Sequence, residues 1–255
     1  MIAAGALLCS CKPHLVILHT NDTHSHFEAL RDSTAGVIER AAFIDSVREA
    51  EGAGNVLLLH AGDWNQGSSY YSRLGGRLEV DVINAMGYDA VTLGNHEFDD
   101  GIESLTERVK RLSCPVVCAN LDLRSFELGK YVHPYTILYR AGRKIGVIGL
   151  EADISTCVSK VISSRIPQLE PVPEVNRWAE YLKGTEKCDL VIVLSHQGYP
   201  EDQANVAGFR GVDLVIGGHS HTFVDGFVYP KDLDGKPVPV ITDGCWGIEM
   251  GKITL

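Results

Sequence analysis

The feature that most constrains the fold is a series of short apolar runs, rich in Leu, Ile and Val, that alternate with polar loops and helical stretches. Runs of this length and composition are typical of strands buried on both faces. They occupy residues 15–18, 56–59, 90–93, 115–119, 145–150, 190–194, 214–216 and 238–241. Helical periodicity fits residues 35–50, 77–86, 102–111 and 174–183. Strands that alternate with helices in this way predict an α/β fold built around stacked sheets.

One segment departs from this alternation. Residues 135–140 and 143–147 are joined by Ala141-Gly142, which is typical of a hairpin, so we expect mixed sheets. The sequence contains no internal repeat, no low-complexity segment and no long Pro/Gly/Ser-rich linker. Residues 12–255 are therefore predicted to form one domain.

Composition narrows the class of protein further. Of the 255 residues, 45% are hydrophobic, which is enough for a sizeable core and excludes a disordered chain. Asp and Glu outnumber Lys and Arg by 33 to 23, which gives a formal net charge of −10. Proteins that bind duplex nucleic acid gain affinity by neutralising phosphates with Lys and Arg. The charge balance therefore disfavours a nucleic-acid duplex as a partner and indicates an ordinary acidic surface.

The N-terminus, residues 1–11, carries a signal of its own. Its apolar run is shorter than the about 20 residues that a membrane span needs. Leu8-Cys9-Ser10-Cys11 resembles the lipobox of a bacterial lipoprotein signal, with Cys11 as the lipidated residue. No Lys or Arg precedes the run, although secretory signals begin with a positive region. Residues 1–11 are thus either the remnant of a longer lipoprotein signal or an ordinary apolar strand.

The lipoprotein interpretation predicts where the protein acts. It places the chain in the periplasm or cell envelope, in contact with the membrane only through a lipid anchor at Cys11. The other cysteines form no CxxC pair and have no His at zinc-finger spacing, so we expect scattered buried thiols. They are Cys114, Cys118, Cys157, Cys188 and Cys245.

Five of the predicted strands are followed by Asp, Asn or His. These residues are Asp22 and His24, Asp63, Asn95 with His96 and Asp99 close behind, His196, and finally His219 and His221. In open α/β sheets, ligands bind in the crevice at the carboxyl ends of the strands. We therefore expect these side chains to converge on one point.

The chemistry of these side chains predicts a metal. All of them are hydrogen-bond acceptors or can be, and no Lys or Arg lies among them to neutralise the carboxylates. Carboxylates gathered away from water are costly without a cation, and a divalent metal is the simplest one. Mixed nitrogen and oxygen donors suit Zn, Mn, Fe, Co or Ni, among which the sequence does not choose.

The number of candidate ligands predicts two ions. Asp22 and His24 can bind one ion, and Asp63 is the carboxylate best placed to bridge. The second ion takes Asn95 and His196, while His219 and His221 are divided between the two ions. Two metals about 3.5–4 Å apart around a solvent molecule are typical of enzymes that hydrolyse phosphate esters.

These motifs, in this order, resemble the signature of the calcineurin-like metallophosphoesterases. The fuller wording resembles the catalytic domain of the 5′-nucleotidase branch: HTNDTHSH at 19–26, AGD at 61–63, TLGNHEFD at 92–99 and ANLD at 119–122. The resemblance covers the chain from His14 to Leu255. It implies a four-layer α/β/β/α metallophosphatase sandwich with mixed sheets.

The resemblance also implies roles for single residues. The first ion would be held by Asp22, His24, Asp63 and His221, and the second by Asp63, Asn95, His196 and His219. His96 would face the substrate, stabilise the phosphoryl oxygens and help the leaving group take a proton, while Asp99 would orient His96. The implied reaction is hydrolysis of a phosphate ester, with a nucleotide as one candidate substrate, by in-line attack of a metal-bound hydroxide on phosphorus.

One departure from the family leaves the substrate open. In the 5′-nucleotidases a second, C-terminal domain supplies base-stacking and phosphate contacts, whereas residues 250–255 here read as the last strand of the catalytic domain. We therefore expect that domain to be absent. It is then either supplied by a separate chain docked beside the crevice, or the catalytic domain acts alone on phosphodiesters, 2′,3′-cyclic nucleotides or a broad set of phosphomonoesters.

A function of another class is a non-catalytic, metal-stabilised binding module at the cell surface. A purely structural metal site needs neither His96 nor Asp99, so their presence argues against this alternative.

Overall fold

The computed structural model describes residues 13–30, 34 and 36–255. The predicted lipobox with Cys11 lies outside the described residues, which contain the following elements. The strands are β1 (Val16–Thr20), β2 (Val56–His60), β3 (Ala90–Thr92), β4 (Val116–Val117), β5 (Val132–His133), β6 (Tyr135–Arg140), β7 (Arg143–Glu151), β8 (Leu190–His196), β9 (Leu214–Ile216), β10 (Val240–Ile241) and β11 (Gly251–Thr254). The helices are α1 (Val37–Glu51), α2 (Ser69–Leu74), α3 (Arg77–Met86), α4 (Gly101–Val109), α5 (Ile154–Cys157), α6 (Lys160–Ser163), α7 (Pro171–Gly184) and α8 (Tyr199–Val206).

No helix within the described ranges combines the length and apolar character that a membrane-spanning helix requires.

The strands form two mixed sheets. The first has the order β11-β1-β2-β3-β4-β5, in which only β11 runs antiparallel to its neighbour. The second has the order β10-β9-β8-β7-β6, in which only β6 is antiparallel, as the other half of the predicted hairpin with β7. The prediction of mixed sheets is therefore confirmed.

Alternation along the strands places the core in three layers. In β1 and the residue before it, Leu15 and Ile17 face the second sheet, while Val16 and Leu18 face the other way, toward α1 and α3. The outer face of the second sheet packs on α7 and α8. Helices thus cover both outer faces, and the predicted four-layer α/β/β/α sandwich is confirmed.

Helix α3 has the predicted bounds, whereas β5, α2, α5, α6 and α8 were not predicted. Strand β5 has two residues and α2 only six, so neither carries a readable period. The bounds of α2 come from local chemistry: the Ser68 side chain accepts a hydrogen bond from the N–H of Tyr70, and Gly75 ends the helix at φ 58°.

Strand β10 is shorter than the predicted run 238–241. The N–H of Val238 bonds to the carbonyl of Pro230 at 2.9 Å, so this residue pairs with a local turn and not with β9. The five cysteines of the described part of the chain are all free, as predicted; Cys118, Cys188 and Cys245 are buried and the other two half-buried.

The two sheets approach each other closely at Gly149 of β7. A Cβ atom there would lie 2.1 Å from the carbonyl oxygen of Val117 in the first sheet. We therefore expect Gly149→Ala to lower the free energy of unfolding by about 3 kcal/mol, because the clash is with backbone that cannot rotate away. Urea denaturation measures this change.

The control is Gly184→Ala in the last turn of α7, where nothing lies within 4 Å of the added Cβ. It should leave stability unchanged or raise it by up to about 1 kcal/mol. Equal unfolding midpoints for the two variants would contradict the close approach.

Candidate metal centre

The carboxyl ends of five strands, drawn from both sheets, meet at one edge of the sandwich. Strands β1, β2 and β3 are neighbours in the first sheet, and β8 and β9 are neighbours in the second. Six of the seven predicted ligand residues, together with His96, form three groups there, and within each group one potential ligand atom from each residue lies within 4.8 Å of the others. These groups are Asp22, His24 and His221; Asp63, His196 and His219; and His24, Asp63 and His96.

Asp22 carries a carboxylate oxygen that faces only imidazoles. Its side chain is fully buried, and its Oδ1 has no hydrogen-bond partner among the described residues. Oδ1 lies 3.3 Å from Nε2 of His221, 3.7 Å from that of His24 and 3.9 Å from that of His196. Oδ2 is fixed by the side-chain amide of Asn21 at 2.7 Å and by the N–H of His219 at 2.9 Å.

Asp63 lies between the two halves of the site. Its Oδ2 is 3.0 Å from Nε2 of His196 and 3.8 Å from Nε2 of His24. Its Oδ1 accepts the N–H of His96 at 2.9 Å, which fixes the plane of the carboxylate. This carboxylate therefore offers one oxygen that can be shared between two ions.

The one remaining predicted ligand, Asn95, lies beside these groups. Its Oδ1 is 2.9 Å from Nδ1 of His219. Asn95 thus enters the same cluster as His219, although it follows β3 of the first sheet and His219 follows β9 of the second. The Nε2 atoms of His24 and His221 are 2.9 Å apart.

The surroundings of His196 favour a positive charge in the cluster. A carbonyl can only accept, so Nδ1 of His196 donates its proton to the carbonyl of Ala61 at 2.7 Å. Nε2 then faces the carboxylate of Asp63. Burial disfavours the charged ring, but Asp63 and Asp22 outweigh it and raise the pKa of His196 well above its usual value. A proton or a metal ion can supply this charge, and the mixed nitrogen and oxygen donors fit a divalent transition metal.

The backbone at the cluster is strained. Non-glycine residues with positive φ are uncommon and cost free energy, so they persist only where the surroundings hold them. Five of the seven predicted ligand residues have such a backbone: Asp22 (48°), His24 (47°), Asp63 (55°), His219 (71°) and His221 (51°). This concentration of strain marks the strand ends as a functional site.

Glu97 holds the loop that carries Asp63, a role that the sequence did not reveal. The Glu97 side chain is fully buried and accepts three backbone N–H groups. They are those of Gly94 at 2.6 Å, Asp63 at 2.9 Å and Asn65 at 3.2 Å. The only sequence signal for it is an acidic residue directly after His96.

His96 and Asp99 form a pair beside the cluster. A short 3₁₀ turn, Asn95–Phe98, brings Nδ1 of His96 to 2.8 Å from Oδ2 of Asp99. The hydrogen bond to Asp99 raises the pKa of His96. About a third of each side chain is exposed, at 32% and 36%, so the pair is open to a ligand from solvent. The His96 ring lies 5.2 Å, centroid to centroid, from that of His24.

The chain matches a known family over most of its length. The sequence profile of the calcineurin-like phosphoesterases matches residues 15–223. The snake venom 5′-nucleotidase of Gloydius brevicauda is 34% identical over 283 residues, which cover 100% of this chain and 46% of the relative.

Solved structures of nucleotidases are also similar to the chain. The 5′-nucleotidase precursor from Thermus thermophilus has a TM-score of 0.87 at 30% identity, over 95% of this chain and 51% of that one. The NAD nucleotidase of Haemophilus influenzae has a TM-score of 0.85 at 28% identity, over 94% and 47%. The chain thus spans about half the length of the relatives it matches.

Glu97→Gln tests the role of the buried carboxylate. The amide keeps the size of the side chain but places an NH₂ group against at least one backbone N–H, so the loop with Asp63 should shift. We expect metal affinity to fall by about 10- to 100-fold, as is common for residues that orient ligands, with the far-UV CD spectrum unchanged. Calorimetric titration with Mn²⁺ or Zn²⁺ measures the affinity.

The control is Glu103→Gln in α4, a more exposed carboxylate that pairs with Arg165 at 3.1 Å. It should bind metal like the wild type. If Glu97→Gln also did so, the loop would not depend on this carboxylate.

Proposed function

The chain belongs to the calcineurin-like phosphoesterase family, and from this premise we propose that it is a dinuclear-metal-dependent hydrolase of phosphate esters of the 5′-nucleotidase type. The observation that carries the proposal is the position of Asp63. Its Oδ2 faces His196 on one side and His24 on the other, and the two imidazoles belong to different groups of candidate ligands. One carboxylate with a ligand group on each side fits two ions better than one.

The proposed ligands follow the family resemblance. The first ion would be held by Asp22, His24, Asp63 and His221, and the second by Asp63, Asn95, His196 and His219. Nitrogen and oxygen donors without thiolate suit Zn, Mn, Fe, Co or Ni. When bound, such ions supply Lewis acidity that polarises phosphoryl oxygens and lowers the pKa of water.

The pair of His96 and Asp99 handles the proton at the leaving group. Asp99 accepts from Nδ1 of His96, so Nε2 of His96 is the atom left for the substrate. Nε2 stabilises a phosphoryl oxygen and then gives its proton to the departing alkoxide. Asp99 fixes the ring and stabilises its charge, as orienting carboxylates do beside a catalytic imidazole.

The proposed substrate class is a phosphate monoester, with a 5′-nucleotide as the leading candidate. Support comes from the names of the relatives, which are 5′-nucleotidases and an NAD nucleotidase. The proposed metal centre would bind the phosphoryl group, and it does not by itself select among leaving groups. Nucleotides, other monoesters and cyclic or linear diesters are therefore compared directly in the assay below.

We place the activity outside the cytoplasm, with a lipid anchor at Cys11. The similarity to a relative named as a venom protein supports an extracellular setting.

Two substitutions test the catalytic assignment. Asp63→Asn should abolish metal-dependent hydrolysis, because it removes the charge shared by both ions. His96→Asn should retain metal but lower kcat by about 10²- to 10⁴-fold, since it removes the general acid. Turnover of AMP, 2′,3′-cyclic AMP, p-nitrophenyl phosphate and bis-p-nitrophenyl phosphate is measured with Mn²⁺ or Zn²⁺.

His133→Asn is the matched control, because His133 is an exposed histidine on edge strand β5. It should hydrolyse the same esters at the wild-type rate. If the wild type bound metal but turned over none of these esters, the proposal of an enzyme would be rejected, and a metal-stabilised binding module would replace it.

Metal binding should also stabilise the fold. An ion that binds only the folded state raises the free energy of unfolding, by about 2.7 kcal/mol at a free concentration of 100 Kd. Thermal unfolding should therefore shift upward with Mn²⁺ or Zn²⁺ in the wild type and in His96→Asn, and much less in Asp63→Asn. An equal shift in Asp63→Asn would remove Asp63 from the ligand set.

A further inference from the structure

A small cavity lies beside the loop that carries Asp22 and His24. The loop, residues 22–26, is called the ligand loop below. The cavity has a volume of about 20 Å³, and we call it the polar cavity. Besides apolar side chains and Tyr88, whose hydroxyl is hydrogen-bonded to Thr20 at 2.8 Å, it is lined by Thr23 of the ligand loop and by Arg40, His60, Trp64 and Glu79.

The last four of these residues each have a polar atom that lacks a partner. Within the part of the chain that the structure describes, Nε of Arg40, Nδ1 of His60, Nε1 of Trp64 and Oε2 of Glu79 are buried and make no hydrogen bond. The residues themselves are 7%, 1%, 2% and 2% exposed. A buried polar atom without a partner costs about 1–3 kcal/mol, so four of them around one cavity require an explanation.

The same four residues hold the ligand loop with their other polar atoms. Nε2 of His60 is 3.0 Å from Oγ1 of Thr23, and the carbonyl of Trp64 accepts the N–H of Ser25 at 3.1 Å. Oε1 of Glu79 accepts the hydroxyl of Ser25 at 2.5 Å. Nη2 of Arg40 donates to the carbonyl of His26 at 3.0 Å. Each residue therefore supports the loop with one polar group, lines the cavity, and has a second polar group without a partner among the described residues.

The four unpaired atoms indicate which kind of molecule fits the cavity. Arg40 Nε and Trp64 Nε1 can only donate, which excludes a cation, and the carboxylate of Glu79 excludes an anion. A water molecule both donates and accepts, and it needs about 10–15 Å³ and two to four polar partners. We propose that one buried water molecule occupies the polar cavity, accepting from Arg40 and Trp64 and donating to Glu79 and His60.

The protonation of His60 agrees with this assignment. Burial lowers the pKa of His60 to about 3, so the ring is neutral and carries one proton. If Nε2 donates that proton to Thr23, then Nδ1 is an acceptor. The water then has two donors and two acceptors, which is a full tetrahedral set.

The water molecule is a positioning element for the metal ligands. Thr23 and Ser25 flank His24, and both are held by residues that share the water. Loss of the water leaves up to four buried groups unpaired, and the ligand loop moves to relieve them. The site of the water rests on the cavity alone, whereas its effect on metal affinity rests on the proposed function.

A crystal structure of the wild-type protein with Mn²⁺, at a resolution that shows ordered water, tests the site directly. Density for one water within hydrogen-bond distance of the four atoms is expected. A cavity without such density, or direct bonds among the four side chains, would overturn the proposal. If the water were present but the protein bound no metal, the proposed function would be rejected. The proposed water site would still stand.

Two substitutions test the positioning role. Glu79→Gln keeps the shape but replaces an acceptor by a donor, and Trp64→Phe removes one donor. Each should abolish the water density and weaken Mn²⁺ binding by about 10- to 100-fold in calorimetric titration.

The control is Trp178→Phe. Nε1 of Trp178 is also buried and has no partner among the described residues, but Trp178 does not line the cavity. It should leave Mn²⁺ affinity unchanged. If Glu79→Gln bound Mn²⁺ like the wild type, the positioning role would be wrong.

Discussion

The structure depends on a positive charge at the edge where five strands end. Asp22 and Asp63 are almost completely buried, at 0% and 1% exposure. Imidazole nitrogens lie 3.3 Å from Oδ1 of Asp22 and 3.0 Å from Oδ2 of Asp63. Two carboxylates cannot be desolvated side by side without a compensating charge. A divalent ion on each side of Asp63, as proposed above, would meet this demand and would supply the chemistry of phosphate ester hydrolysis. The same requirement is consistent with candidate ligands that come from both sheets, because no single strand end offers enough donors.

The fold is adapted to bring these groups close together. A Cβ on Gly62 would lie 2.6 Å from Nδ1 of His196, and one on Gly94 would lie 2.3 Å from Oδ1 of Asp63. Both glycines therefore let a backbone pass beside a candidate ligand. The bond from His196 to the carbonyl of Ala61 ties the second sheet to the first at the same place. Glu97 holds the loop with Asp63, and residues that line the polar cavity hold the ligand loop, so two of the three candidate-ligand loops with positive φ have buried polar supports.

The sequence was most informative where periodicity and residue type coincide. The apolar runs predicted most strands, and the Asp, Asn and His residues behind five of them predicted which side chains converge. Family resemblance, and not the residues alone, supplied the assignment of His221 to the first ion and His219 to the second, and the roles of His96 and Asp99. Short elements such as β5 and α2 could not be predicted, because tertiary pairing and a single cap define them.

The supporting residues were also beyond prediction. In the sequence, Glu97 and Glu79 resemble ordinary charged residues, and His60 is simply the residue after an apolar run. Their roles depend on which backbone N–H or hydroxyl lies opposite in space, and only the packed structure fixes that. The role of Arg40 was also beyond prediction. An arginine in helix α1 would be expected at the surface, yet Arg40 is almost fully buried and donates to the carbonyl of His26.

Anomalous diffraction from crystals grown with Mn²⁺ tests the central claim most directly, because it locates the ions without reference to activity. The account predicts two anomalous peaks per chain, with Oδ2 of Asp63 bound to both, Asp22, His24 and His221 around one, and Asn95, His196 and His219 around the other. A single peak, or two peaks that do not share Asp63, would contradict it.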